Sequence, residues 1–152
     1  MKLSYYTILF LLILASFSCT DDQCNSDTES LLQTELIAKG VDDEFIDSLS
    51  IYAPEWTDSI HYSIENDDNI ISFILSPNSD TTEIIYTSKN YPLKDTLFIY
   101  YQREMTFLSP ECGFITNYII DTVLHTYNYI DSIEIVTEEI TTEKDGLIQI
   151  YF

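Results

Sequence analysis

From Leu31 to Phe152, short segments rich in Ile, Tyr, Phe and Thr recur at about ten-residue spacing, separated by Asp, Asn, Ser and Pro. Residues of that type fit a pleated, half-buried surface, and the intervening ones favour turns. The clearest segments are Leu49 to Ala53, Ser59 to Glu65, Ile70 to Leu75, Glu83 to Thr87, Thr96 to Gln102, Phe114 to Val123, Ile130 to Val136 and Leu147 to Phe152. A stretch from Ser30 to Lys39, ahead of Gly40, admits two readings. Leu32 and Leu36 stand one helical turn apart, whereas Leu32, Thr34, Leu36 and Ala38 alternate as in a strand, which is the expectation adopted. The pattern predicts an all-β fold, a single meandering antiparallel β-sandwich, immunoglobulin-like or similar, over residues 31–152.

Two strands reveal their setting. In Asp95-Thr96-Leu97-Phe98-Ile99-Tyr100-Tyr101, Leu97, Ile99 and Tyr101 share one face while Thr96, Phe98 and Tyr100 share the other, so both faces are apolar and a central strand is expected. Ile133 and Ile135 alternate with Ser132 and Glu134, which predicts one wet side. Glu65 to Asn69 is expected to join two strands as a hairpin, Pro77 to Asp80 to end another, and Asp145-Gly146 to turn into the last. The terminal Phe152 resembles the assembly signal of outer-membrane barrels, but most segments fall short of the roughly 9 to 11 residues that a membrane strand needs.

The N-terminus carries an address. Lys2 precedes an apolar run from Ile8 to Ala15, and Ser16-Phe17-Ser18-Cys19 follows. This is the charged start, short core and small-residue cleavage point of an export signal, too short to span a bilayer as a helix. Residues 1–18 are expected to be removed as a lipoprotein signal peptide, leaving Cys19 to carry the lipid, with residues 19–30 as an acidic tether. Ser16 stands where the usual lipobox has Leu. Asp21-Asp22 resembles the sorting signal for the outer face of an outer membrane, and reads equally as a solvated linker. A cell-envelope location, anchored to the outer membrane by lipid, follows, with either membrane face open.

What remains after cleavage, roughly 130 residues, suffices for one domain with a real core. With 26 acidic against 6 basic residues, the formal net charge is −20. Such a field repels nucleic acid and anionic headgroups, and leaves cations, basic proteins and neutral glycans as possible partners. Apart from Cys19 the cysteines are Cys24 and Cys112, in a compartment that permits oxidation, and a single disulfide between them is expected. The competing reading makes Cys112 a nucleophile with His125 as base, without an evident third orienting group.

These residues carry a resemblance. Cys19, a second cysteine five residues on, Leu49-Ser50-Ile51-Tyr52, Ile71-Ser72-Phe73-Ile74-Leu75, the segment Asp95 to Tyr101 and Cys112-Gly113-Phe114 together resemble uncharacterised bacteroidete cell-envelope lipoproteins, grouped as a domain of unknown function. The resemblance implies the same address and fold. It implies no catalytic or ligand-binding residue.

No chemistry stands out. The carboxylates at Asp42-Asp43-Glu44, Asp67-Asp68, Glu138-Glu139 and Glu143 lack calcium-loop spacing, and His61 and His125 lack partners at zinc spacing, so no catalytic residue, metal site or cofactor is assigned. Nucleophile-elbow and zinc-protease motifs are absent. The twelve tyrosines and Trp56 offer flat faces for a glycan, although tyrosine is equally a strand residue. Asp followed by Ser or Thr recurs ahead of strands and resembles an O-glycosylation acceptor, making Ser48, Ser59, Thr81, Thr96, Thr122 and Ser132 candidate sugar sites. The leading expectation is a non-enzymatic binding or structural module held to the bilayer through Cys19, with an unidentified protein or glycan partner. The alternative is a calcium-dependent or hydrolytic module using the acidic loops on glycan or peptide.

Overall fold

The computed structural model describes Cys24, residues 28–38, 49–54, 62–63 and 69–89, and residues 91–152. All regular structure among them is strand: β1 Leu31–Ile37, β2 Leu49–Tyr52, β3 Tyr62–Ser63, β4 Ile70–Ile74, β5 Thr81–Ser88, β6 Tyr91–Ser109, β7 Gly113–His125, β8 Ser132–Thr137, β9 Glu139–Ile140 and β10 Gly146–Tyr151. They form a four-stranded sheet, β4-β1-β10-β8, packed on a six-stranded sheet, β3-β2-β5-β6-β7-β9. The protein is an all-β sandwich.

Alternation decides which side chains meet between the sheets. In β1, Leu32, Thr34 and Leu36 face inward, so the strand reading of this stretch holds. Their neighbours across the sheet are Phe73, Ile71, Ile148 and Ile150. From the other sheet come Leu49, Ile51, Ile84, Tyr86, Leu97, Ile99, Tyr101, Tyr118, Ile120 and Ile140, all in one buried cluster with the first set. Ile133 and Ile135 pack against this cluster from β8 while Ser132 and Glu134 are exposed, as their alternation predicts. The terminal aromatic is a core residue: Phe152 is buried, its ring lies 6.5 Å from that of Tyr86, and its amide donates to the Ile37 carbonyl at 3.0 Å.

Three expectations need correction. The sandwich is not wholly antiparallel, because β1 and β10 run parallel in register from Leu32 with Gly146 to Ile37 with Tyr151. The hairpin expected at Glu65 to Asn69 falls almost wholly on residues outside those described, and the flanking strands β3 and β4 belong to different sheets rather than pairing with each other. Gly146 is the first residue of β10 rather than a turn glycine, and it is buried. A β-carbon there would lie 2.5 Å from Ile140 Cγ1 and 3.2 Å from Leu32 Cδ1, so the position holds glycine for space. The central placement of β6 is as expected, between β5 and β7, but its second face is covered only in part: Leu97, Ile99 and Tyr101 are buried on one face, while on the other Thr96 is buried, Phe98 half-buried and Tyr100 37% exposed.

Candidate functional site: a disulfide-pinned hairpin

β6 has 19 residues and β7 has 13, against 5 to 7 for each strand of the opposing sheet. At about 3.3 Å per residue, the β6–β7 hairpin outruns its cover by several rungs. The inward face is closed where the segment joining β4 to β5 crosses over. Three consecutive carbonyls of that segment accept from the hairpin: Leu75 O from the Tyr118 hydroxyl at 3.1 Å, Ser76 O from the Tyr101 hydroxyl at 3.0 Å, and Pro77 O from Arg103 Nη1 at 2.7 Å. Arg103 Nε also bonds Asp80 at 2.6 Å, and the Tyr101 and Tyr118 rings meet edge-on at 5.3 Å. Burial, with neighbouring Tyr101 adding to it and Arg103 opposing, pushes the Tyr118 phenol up to about 12, so that hydroxyl stays protonated and able to donate at any physiological pH.

Beyond the belt the same face continues uncovered. Met105, Phe107 and Phe114 follow Tyr101 and Arg103 by alternation and are 77%, 54% and 68% exposed. Phe107 and Phe114 stand opposite each other, with ring centroids 5.2 Å apart. The opposite face of this arm is dressed differently: Ile115 is buried, and Ser30 Oγ donates to Asn117 Oδ1 at 3.2 Å, which brings the segment preceding β1 against it.

The tip is built to be rigid. Pro110 presets the turn, the Cys112 amide donates to Ser109 Oγ at 3.1 Å, and Gly113 adopts φ 72°, a left-handed conformation that a side chain disfavours. Cys112 is joined to Cys24 across 88 residues, with Cα atoms 4.8 Å apart. The expected disulfide is therefore present, and it ties the N-terminal segment to the hairpin tip. It also removes Cys112 as a nucleophile, and His125 lies at the far end of β7, about 40 Å along the strand by its rise per residue.

At that far end, Asp95 organises the loop between β7 and β8. The residue is 1% exposed, and its carboxylate accepts from Thr126 Oγ1 (2.6 Å) and from the amides of Asn128 (2.9 Å), Tyr129 (2.6 Å) and Ile130 (3.0 Å). Burial acts to raise its pKa, but the combined hydrogen bonds from Thr126, Asn128, Ile130 and Tyr129 prevail and hold it below the ordinary carboxylate value. Sequence reasoning missed this role. The available signal was an acid standing directly before an apolar strand core, a position where a charge needs several donors.

The remaining candidates are scattered. Cys19, Ser48, Ser59, His61, Trp56 and the acids at 42–44 and 67–68 lie outside the described residues. Of the possible sugar sites, Thr122 and Ser132 are exposed, Thr81 is half-buried, and Thr96 is buried against the loop that Asp95 holds. Glu138, Glu139 and Glu143 are exposed, and Glu139 pairs with Lys144 at 3.0 Å beside a shallow depression of about 450 Å³ that Ile119 and Val136 also line. Among the described residues no three His, Cys, Asp or Glu side chains converge as metal ligands would.

Fold and site together define a two-sheet β-sandwich whose longest hairpin is stapled to the N-terminal segment. The chain belongs to the family of unknown function DUF6452, whose model matches residues 48–152. No curated protein and no solved structure matches it.

Proposed function

We propose that the protein is a non-enzymatic lipoprotein of the bacteroidete cell envelope, anchored to the outer membrane through acylated Cys19 and presenting its sandwich to a protein or glycan partner. The observation that carries this reading is the disulfide. Cys24 lies five residues after Cys19, and its bond to Cys112 fastens the domain directly behind the anchor. A disulfide also suits an oxidising compartment. The exposed, dispersed acids among the described residues favour a binding or structural role over a calcium-dependent or hydrolytic one, which needs groups converging in a cleft.

The test is intact mass on membrane-extracted native protein, with and without reduction and thiol alkylation, for wild type and Cys19→Ala. The expected result is a chain beginning at residue 19 with acyl mass and two thiols alkylated only after reduction. Cys19→Ala should lose the acyl mass and leave the membrane fraction. An unlipidated wild-type chain in the soluble fraction overturns the reading. Hexose-sized increments in the same spectra would report sugar, for which exposed Thr122 and Ser132 are the accessible acceptors among the described residues.

A further inference from the structure

We infer that the uncovered arm of the β6–β7 hairpin, through Met105, Phe107 and Phe114, inserts into the bilayer that holds Cys19, so that the protein is fixed at two points rather than tethered at one. This rests on the lipid-anchor reading above. The length of chain between anchor and staple selects a lipid surface as the occupant. Five residues from Cys19 to Cys24 span at most about 18 Å when fully extended. The disulfide adds a Cα separation of 4.8 Å, and Phe114 lies only two residues beyond Cys112, about 7 Å along the strand. The arm can therefore never move far from the headgroups, and its effective concentration at the membrane is that of a short-linked second site.

The chemistry of the arm agrees with its position. Large apolar side chains exposed together are uncommon on soluble surfaces, and aromatic rings are favoured at a bilayer interface. Here they occupy the end of the molecule that carries the staple, on the face that continues the core beyond its Tyr101–Tyr118–Arg103 belt. Arg103 is engaged with Asp80 and Pro77, while Glu104 and Glu111 are exposed near the tip. Contact with lipid is therefore apolar and does not depend on anionic headgroups.

The inference is tested on native lipoprotein reconstituted into phosphatidylcholine vesicles with and without brominated acyl chains. Phe114→Trp and Phe107→Trp each place an indole at the tip, Leu124→Trp places one on the exposed far end of β7, and the parent protein supplies the Trp56 background. Tip indoles are expected to be blue-shifted and quenched about two-fold by brominated lipid, with Leu124→Trp unchanged from background. Unquenched tip indoles on protein that still floats with the vesicles overturn the inference, and protection of those indoles from aqueous acrylamide would then assign the arm to contact with a second copy of the chain. Absence of acyl mass on the native protein is instead a failure of the anchor reading. In that case the Cys19 thiol, left over once Cys24 and Cys112 are paired, is coupled to maleimide-bearing lipid, and the same two quenching results decide the matter.

Discussion

Asp95 precedes the apolar run Leu97 to Tyr101, and four donors from residues 126–130 converge on its carboxylate. Replacing it by Asn removes the charge and puts an NH2 donor in place of one accepting oxygen, facing backbone amides that can only donate. Asp95→Asn should destabilise the domain by about 2–4 kcal/mol in urea unfolding at pH 7. The pH dependence has a definite sign. Because the folded pKa is depressed, the contribution of Asp95 is complete above the ordinary value of 3.8 and is lost as pH falls below it through the folded pKa. Wild type should therefore lose stability in that acid range, and the variant should show less of that loss. Gly146 makes the complementary point about space. Gly146→Ala drives a methyl into Ile140 and Leu32, and should cost about 1–3 kcal/mol by the same unfolding assay. Neither role was legible in sequence: Asp before a strand and Asp-Gly both read as turn chemistry, and only the packed neighbours reveal a donor cage in one case and a forbidden β-carbon in the other.

At the scale of elements, most strands are visible in the chain because alternation and turn residues are local signals. What locality cannot supply is length beyond the core. β6 extends from Tyr91 to Ser109, although only its middle, near Thr96 to Gln102, has a strand signature in sequence, because polar residues at Gln102, Arg103 and Glu104 interrupt the apolar pattern. Pairing with β7, rung by rung from Leu97–His125 to Ser109–Gly113, carries the strand through that interruption. The disulfide belongs to this scale too. It closes a loop of 88 residues, worth about 4–5 kcal/mol of unfolded-state entropy. A Cys24→Ser, Cys112→Ser double variant should lose about 2–5 kcal/mol in denaturant unfolding while keeping the far-ultraviolet signature of the sandwich, whose core lies away from the hairpin tip.

For the molecule as a whole, a formal charge of −20 on a compact body means self-repulsion that salt screens. Raising sodium chloride from about 0.05 M to about 0.5 M should raise the Tm by several degrees, and an unchanged Tm would mean that the acids are spaced too widely to matter. The sequence by itself determined the all-β class and the number and approximate bounds of most strands, because these follow from short-range alternation and turn chemistry, and it pointed to the pairing of Cys24 with Cys112 once Cys19 is set aside as the expected lipid carrier. Only the tertiary structure decided which strands are neighbours: the parallel union of β1 with β10, and the crossing of the chain between sheets at β3–β4 and β4–β5. It also decided that the second apolar face of β6 is covered only near Thr96 and Phe98, and that the outer rungs of its hairpin go uncovered. Covering a face is a property of what packs opposite it, and strands of 5 to 7 residues cannot cover one of 19.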